Sequence, residues 1–110
     1  MELENLTLKQ IREIQNMGVC KTEKHPYNIG KNYLIRTVTM IYTGRLIEVY
    51  KQELVIDKAC WIPETARWNE SVKNCTFNEQ EPYPEDRKVI IGRGSVIDCV
   101  EISELVHEVK

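Results

Sequence analysis

The fold turns on "VIIGRGSVIDCVEI", Val89 to Ile102: two short runs rich in β-branched residues, hinged on Gly92, Arg93 and Gly94. Such runs read as strands, and the glycines read as the hinge between them. An arginine held between two glycines admits two readings. It is a solvated turn residue, or it is a hand for an anion. In the second case the flanking glycines free its backbone to take unusual dihedrals, and the guanidinium offers paired hydrogen bonds to phosphate or carboxylate.

Upstream, "YLIRTVTMIY", "RLIEVY" and "ELVIDKACWI" have the same texture, with Gly44 as a turn or sharp bend between the first two and Lys51–Gln52 between the last two. Turns this short predict an antiparallel meander over 32–61, because parallel pairing needs a far longer crossover. Pro63 closes the third strand. "NLTLKQIREIQNMG" predicts a helix over 6–17: Thr7 and Gln10 form a capping box, Leu6 staples onto Ile11, and Gly18 takes the C′ position. Its Leu8, Ile11 and Ile14 share one face, which must pack on something else. Pro26 and Gly30 punctuate the connector that follows. Residues 62–87 read as an insertion, with a short helix starting at Pro63 and then the proline-broken loop "TFNEQEPYPEDR". A closing hairpin over 88–102 and a tail over 103–110 complete one domain, since 110 residues that are 42% apolar suit a single modest core. The expected class is mainly β with an N-terminal helix: a small five-stranded, strongly bent open barrel with a long insertion before its last two strands.

Composition narrows the function. With 15 basic and 17 acidic side chains, the chain lacks the broad cationic surface that duplex DNA requires. No apolar run reaches the ~20 residues needed to span a bilayer, and "MELENLTLKQ" is acidic where a signal peptide is basic, so a cytoplasmic protein without a membrane partner is expected. Cys20, Cys60, Cys75 and Cys99 are dispersed and read as reduced thiols. No phosphate-binding glycine loop and no metal-ligand spacing occur, so no cofactor is expected. Asp98 and Cys99 have no local signature tying them to His25 or His107, and the expectation is a protein that is not an enzyme.

This order of elements resembles the Sm-like fold, the family of Sm, Lsm and bacterial Hfq proteins. "VIIGRGSVIDCVEI" is similar to that family's second motif. "TGRLIEVYKQELVIDKA" is similar to its first, with Gly44, Leu46, Leu54, Ile56 and Ala59 at the corresponding places. The resemblance implies a helix seated over a five-stranded barrel, and a homo-oligomeric ring of about six subunits joined through edge strands. Where Sm proteins carry an Asp and an Asn that bind a base, this chain departs from the pattern with "VYKQEL", which leaves Tyr50, Lys51 and Gln52 to stack and hydrogen-bond there by analogy. The stretch from His25 to Asp98 also resembles small uncharacterised phage-associated proteins, which implies a viral protein acting in a host cytoplasm.

Together these readings predict a non-enzymatic, ring-forming protein that binds or sequesters a nucleotide-type ligand, such as a host signalling nucleotide, or a short single-stranded RNA. The expected site residues are Arg93 with Gly92 and Gly94, Tyr50, Lys51, Arg45, and Arg67 beside Trp68. An aromatic ring stacks on a base while an adjacent arginine takes a phosphate. Arg36 is a further arginine of the first hairpin, and Trp61 reads as a core anchor. The alternative is a viral structural or adaptor protein that makes only protein contacts.

Overall fold

The computed structural model describes residues 24–110. The expected helix at 6–17, with its Thr7–Gln10 cap and its Leu8, Ile11 and Ile14 face, lies outside the described residues, as does Cys20. The described chain runs β1 (Asn32–Thr37), β2 (Ile41–Val49), β3 (Glu53–Thr65), α1 (Trp68–Asn74), β4 (Phe77–Pro82), β5 (Lys88–Gly92), a 3-10 turn (Arg93–Ser95) and β6 (Val96–Glu101). It is mainly β: six antiparallel strands in one open sheet, ordered β4-β3-β2-β1-β6, with β5 also on β3. The 13-residue β3 takes β5 along its first half and β4 along its second.

The expected meander is present, but its first turn sits elsewhere. β1 ends at Thr37, whose hydroxyl donates to the Met40 carbonyl (2.7 Å) and accepts from the Met40 amide (2.9 Å), closing a turn over Val38–Met40. A threonine side chain thus does locally what a glycine was expected to do. Gly44 lies inside β2 and is a bend. There it faces both Lys58 and Ala59 of β3, between the pairs Thr43–Cys60 and Arg45–Asp57. This is a β-bulge, and Lys58 takes the left-handed φ of 50° that it requires. A Cβ on Gly44 would stand 2.7 Å from Ile56 Cδ1 and 3.2 Å from the Asp57 carbonyl oxygen, so the two strands meet here only because glycine has no side chain.

The insertion is part of the sheet. β3 continues through Pro63, which falls in a bulge of the β3–β4 ladder, between the pairs Trp61–Glu81 and Glu64–Glu79, where no ladder donor is needed. The helix therefore starts at Trp68, and Phe77–Pro82, expected as loop, forms β4, one strand more than the five expected. Phe77 explains this: it is fully buried and anchors an otherwise polar segment. The tail is tied down too, because Gln80 and Lys110 exchange backbone hydrogen bonds of 2.9 and 2.8 Å.

Both faces of the sheet are covered. Tyr33, Ile35, Leu46, Leu54, Ile56, Ala59 and Ile91 form one buried cluster. Leu34, Cys60, Ile62, Cys75, Phe77 and Ile102 form the other, beneath Val72 of α1 and Leu105 and Val106 of the tail. Three consecutive buried residues, Tyr33 to Ile35, show that β1 lies between the two. Trp61, expected as a core anchor, is only half-buried, at the side of β3 beside Glu81 and Tyr83.

The two runs about Arg93 are not a hairpin. β5 pairs with β3, β6 pairs with β1, and no ladder joins them among the described residues. In a flat sheet four strand spacings, ~19 Å, would separate β5 from β6. The Gly92-to-Val96 link spans at most ~14 Å. It also joins opposite ends of β2: Gly92 sits by Glu53, next to the Val49 end, and Val96 sits by Thr37, next to the Ile41 end. The sheet must therefore curl, and the bulge at Gly44 supplies the bend.

Gly44→Ala should accordingly lower unfolding stability by roughly 1–3 kcal/mol, the usual cost of overpacking. Gly92 (φ −69°) and Gly94 have open space over their Cα atoms and no left-handed φ. Ala at either site should be neutral or stabilising by up to ~1 kcal/mol. Urea denaturation of the three variants checks this, and equal effects at 44 and 92 would contradict the close approach.

Candidate functional site

The Gly-Arg-Gly-Ser turn holds itself in shape and then holds its surroundings. Ser95 Oγ donates to the Gly92 carbonyl at 2.7 Å, and the Val96 amide donates to the Arg93 carbonyl. On one side, the Arg93 amide donates to the Gln52 carbonyl (2.8 Å) and Arg93 Nη1 to the Tyr50 carbonyl (2.7 Å). On the other, the Val38 amide donates to the Ser95 carbonyl at 2.9 Å. The turn thus grips the β1–β2 and β2–β3 turns together. Arg93 itself is half-buried in a 3-10 turn without a left-handed φ, so the unusual backbone that its glycine neighbours would permit is not used.

Beneath Arg93 lies Tyr27, its ring centroid 5.2 Å from the guanidinium carbon. The next residue, Asn28, donates its amide to the Tyr33 hydroxyl (2.8 Å), and its side chain bonds Glu101, which fixes the segment against β1 and β6. The Tyr33 phenol is held above its ordinary value by burial and, to a lesser degree, by Glu101. A cavity of about 340 Å³ opens beside this stack, lined by Pro26, Tyr27, Tyr33, Arg93, Val96, Ile97, Asp98 and Cys99. That is the lower end of the size range of small-molecule sites.

Of the predicted site residues, Arg93, Gly92, Gly94, Tyr50 and Lys51 share this corner, since Lys51 lies between the two residues whose carbonyls Arg93 binds. Tyr50 is exposed, and its hydroxyl donates to Glu48 (2.9 Å), which raises the phenol's pKa. Arg45 stands apart, in a two-bond pair with Asp57 across β2 and β3 (3.0 and 2.6 Å). Arg67 and Trp68 begin α1, but the arginine stacked on Trp68 is Arg36, at 4.9 Å, not its sequence neighbour. Arg36 is also paired with Asp98 on β6. Sequence reasoning missed Tyr27. An aromatic just after Pro26 in a polar connector was the available signal.

Asp98 and Cys99 line both this cavity and a second one between α1 and β6. Neither histidine lines either. His25 packs on Tyr27 (5.7 Å), and His107 lines a separate cavity with Lys58, Pro82 and Glu85. Burial and then Asp98 push the Cys99 thiol up, away from the thiolate a nucleophile needs. Among the described residues no group of His, Cys, Asp and Glu could hold a metal ion, and no helix is long and apolar enough to cross a membrane. No protein-family model matches the chain, and no curated protein matches it.

Cys60, Cys75 and Cys99 are free thiols. Cys60 is fully buried, and burial pushes its pKa up to about 11. At pH 8 a thiol reagent followed by peptide mapping should leave Cys60 and Cys75 unlabelled until the protein unfolds. Between the ordinary thiol value and about 11 the unfolded chain ionises Cys60 while the folded one does not, so stability should fall as pH rises through that window. Rapid native labelling of Cys60 would contradict its burial.

Proposed function

We propose that the protein is a non-enzymatic, ring-forming binding protein of Sm-like type that takes a nucleotide-type ligand, or a short single-stranded RNA, at the Arg93 corner. The observation that carries this reading is the stack of Arg93 on Tyr27. With Nη1 committed to the Tyr50 carbonyl, the Nε and Nη2 donors have no acceptor among the described residues. A cation so fixed, over an aromatic ring and beside a cavity with an apolar wall, matches an anion attached to a planar base. Lys51, exposed on the adjoining turn, adds positive charge.

The near-neutral chain and the compact cavity favour a mononucleotide-sized ligand over a long polyanion, which would need an extended basic groove. In a phage such a protein would sequester a host signalling nucleotide. The assembly half of the proposal rests on the two strand edges, of β5 and β6, that pair with no strand among the described residues. The adaptor reading draws on Ile90 and Ile97, which are exposed and suit protein contacts.

Calorimetry at one fixed salt concentration, against linear and cyclic nucleotides and a short oligo-uridine, tests the ligand half. Arg93→Ala should weaken binding ten-fold or more, since a charge-assisted contact is worth roughly 1.5–3 kcal/mol. Lys51→Ala should weaken it less and leave stability unchanged. Because Arg93 also clasps the Tyr50 carbonyl, Arg93→Ala should cost about 1–2 kcal/mol of stability, so each variant is checked by thermal melting first. Absence of binding to the whole panel, or equal affinity for wild type and Arg93→Ala, would overturn the reading. Light scattering should give a mass near six times the 12.9 kDa chain, whereas a mass of 12.9 kDa at micromolar concentration would refute assembly.

A further inference from the structure

We propose that the recess beside Trp61 is a binding site for a trimethylammonium group carried on a small molecule of the choline class. Trp61, Glu81, Pro82, Tyr83 and Pro84 line this recess, which holds about 350 Å³. It is separate from the Arg93 corner, whose cavity shares no lining residue with it.

Sheet register builds the recess. Tyr42 of β2 is the direct partner of Trp61 on β3, and Trp61 is in turn the direct partner of Glu81 on β4. Residues directly opposite one another stand on the same face, so one row across three strands sets two rings and a carboxylate side by side. Tyr83, two residues beyond Glu81, returns to that face: its ring packs on Tyr42 with centroids 6.4 Å apart, and both tyrosines lean on the cluster built on Ile35 and Ile56. The Tyr83 amide donates to the Ala59 carbonyl at 2.9 Å, which fixes the chain leading out of β4 against β3. Pro82 and Pro84, each with its φ locked by the ring, close the remaining wall. The aromatic surface is thus in place before any ligand arrives.

Charge and wall chemistry select the ligand. Glu81 is exposed, is the one ionised side chain of the lining, and has no ion-pair partner among the described residues. The charge around it has the same sign: Glu64 and Glu79 face each other across β3 and β4, and Glu85 follows Pro84. The recess therefore attracts a cation. A bare ammonium is strongly hydrated and would lose water that rings and prolines cannot replace, and no group of His, Cys, Asp and Glu among the described residues could hold a metal ion. Methyl groups on the nitrogen change this balance, because they present the positive charge through an apolar surface that the π faces of Trp and Tyr attract. The volume sets the size of the ligand. A recess at the lower end of the range of small-molecule sites takes a choline-sized molecule whole, without needing a protein to carry the headgroup.

Isothermal titration calorimetry at one fixed ionic strength makes the test, with three probes: choline chloride, its uncharged isostere in which a tert-butyl group replaces the trimethylammonium, and a peptide carrying trimethyllysine. Choline should bind saturably, and the isostere roughly five- to thirty-fold more weakly, the range of a cation–π contact. Glu81→Gln should weaken choline and leave the isostere unchanged, a split that a merely structural role for Glu81 would not give. Trp61→Ala should abolish choline binding. Thermal melting checks each variant, and where Trp61→Ala does not fold, Glu81→Gln with the paired probes carries the test, since an exposed carboxylate is replaced there by an amide of the same shape. Equal affinity for choline and its isostere overturns the cation. A peptide that binds about ten-fold or more tightly than choline overturns the small-molecule assignment. Failure of the wild type to bind choline overturns the site itself.

Discussion

A three-residue link that has to join opposite ends of one strand governs this structure. β2 is nine residues long, and its two ends must come close enough for the turn at Arg93–Ser95 to reach from β5 to β6. The bare Cα of Gly44, the left-handed Lys58 opposite it and the extra residue at Ile47, between the pairs Leu46–Ile56 and Glu48–Val55, concentrate the required curvature in β2 and β3. The Arg93 amide and guanidinium and the Ser95 carbonyl then fasten the result by bonding both neighbouring turns. Curvature and clasp depend on each other. Without the bend the turn cannot span, and the turn adds its clasp to the buried cluster against which Tyr42 and Val49, at the two ends of β2, both pack.

This makes Arg93 both a turn residue and a candidate hand. One nitrogen of the guanidinium is committed to the Tyr50 carbonyl and its plane to Tyr27, which fixes the donors that remain. A donor already immobilised loses little entropy on meeting an anion, which is the general advantage of a preorganised site. The same placement puts the proposed ligand corner next to β6, whose Asp98 and Cys99 line both cavities.

The strands were legible in the sequence because β-branched and aromatic residues cluster in runs of the right length. Their register was not, because bulges depend on what lies opposite. Gly44 signalled a bend, but the actual turn at Val38–Met40 carries no glycine or proline and is closed by the Thr37 side chain. β4 was hidden because "FNEQEP" is polar and ends in proline, and only Phe77 ties it to the core. At the candidate site, the glycines drew attention to Arg93, yet its partners Tyr27 and the Tyr50 carbonyl are 66 and 43 residues away in the chain. The arginine that stacks on Trp68 was not legible either. Adjacency suggested Arg67, and the fold delivers Arg36.

Amide hydrogen exchange, read residue by residue by NMR, tests the clasp most directly. If the turn holds the ends of β2 together, the Val38 and Arg93 amides, though both lie at turns, should exchange only through global unfolding, with the same opening free energy as Ile35 and Ile56 in the core. Exchange of Val38 and Arg93 at the rate of an open loop, with Ile35 and Ile56 still protected, would contradict it.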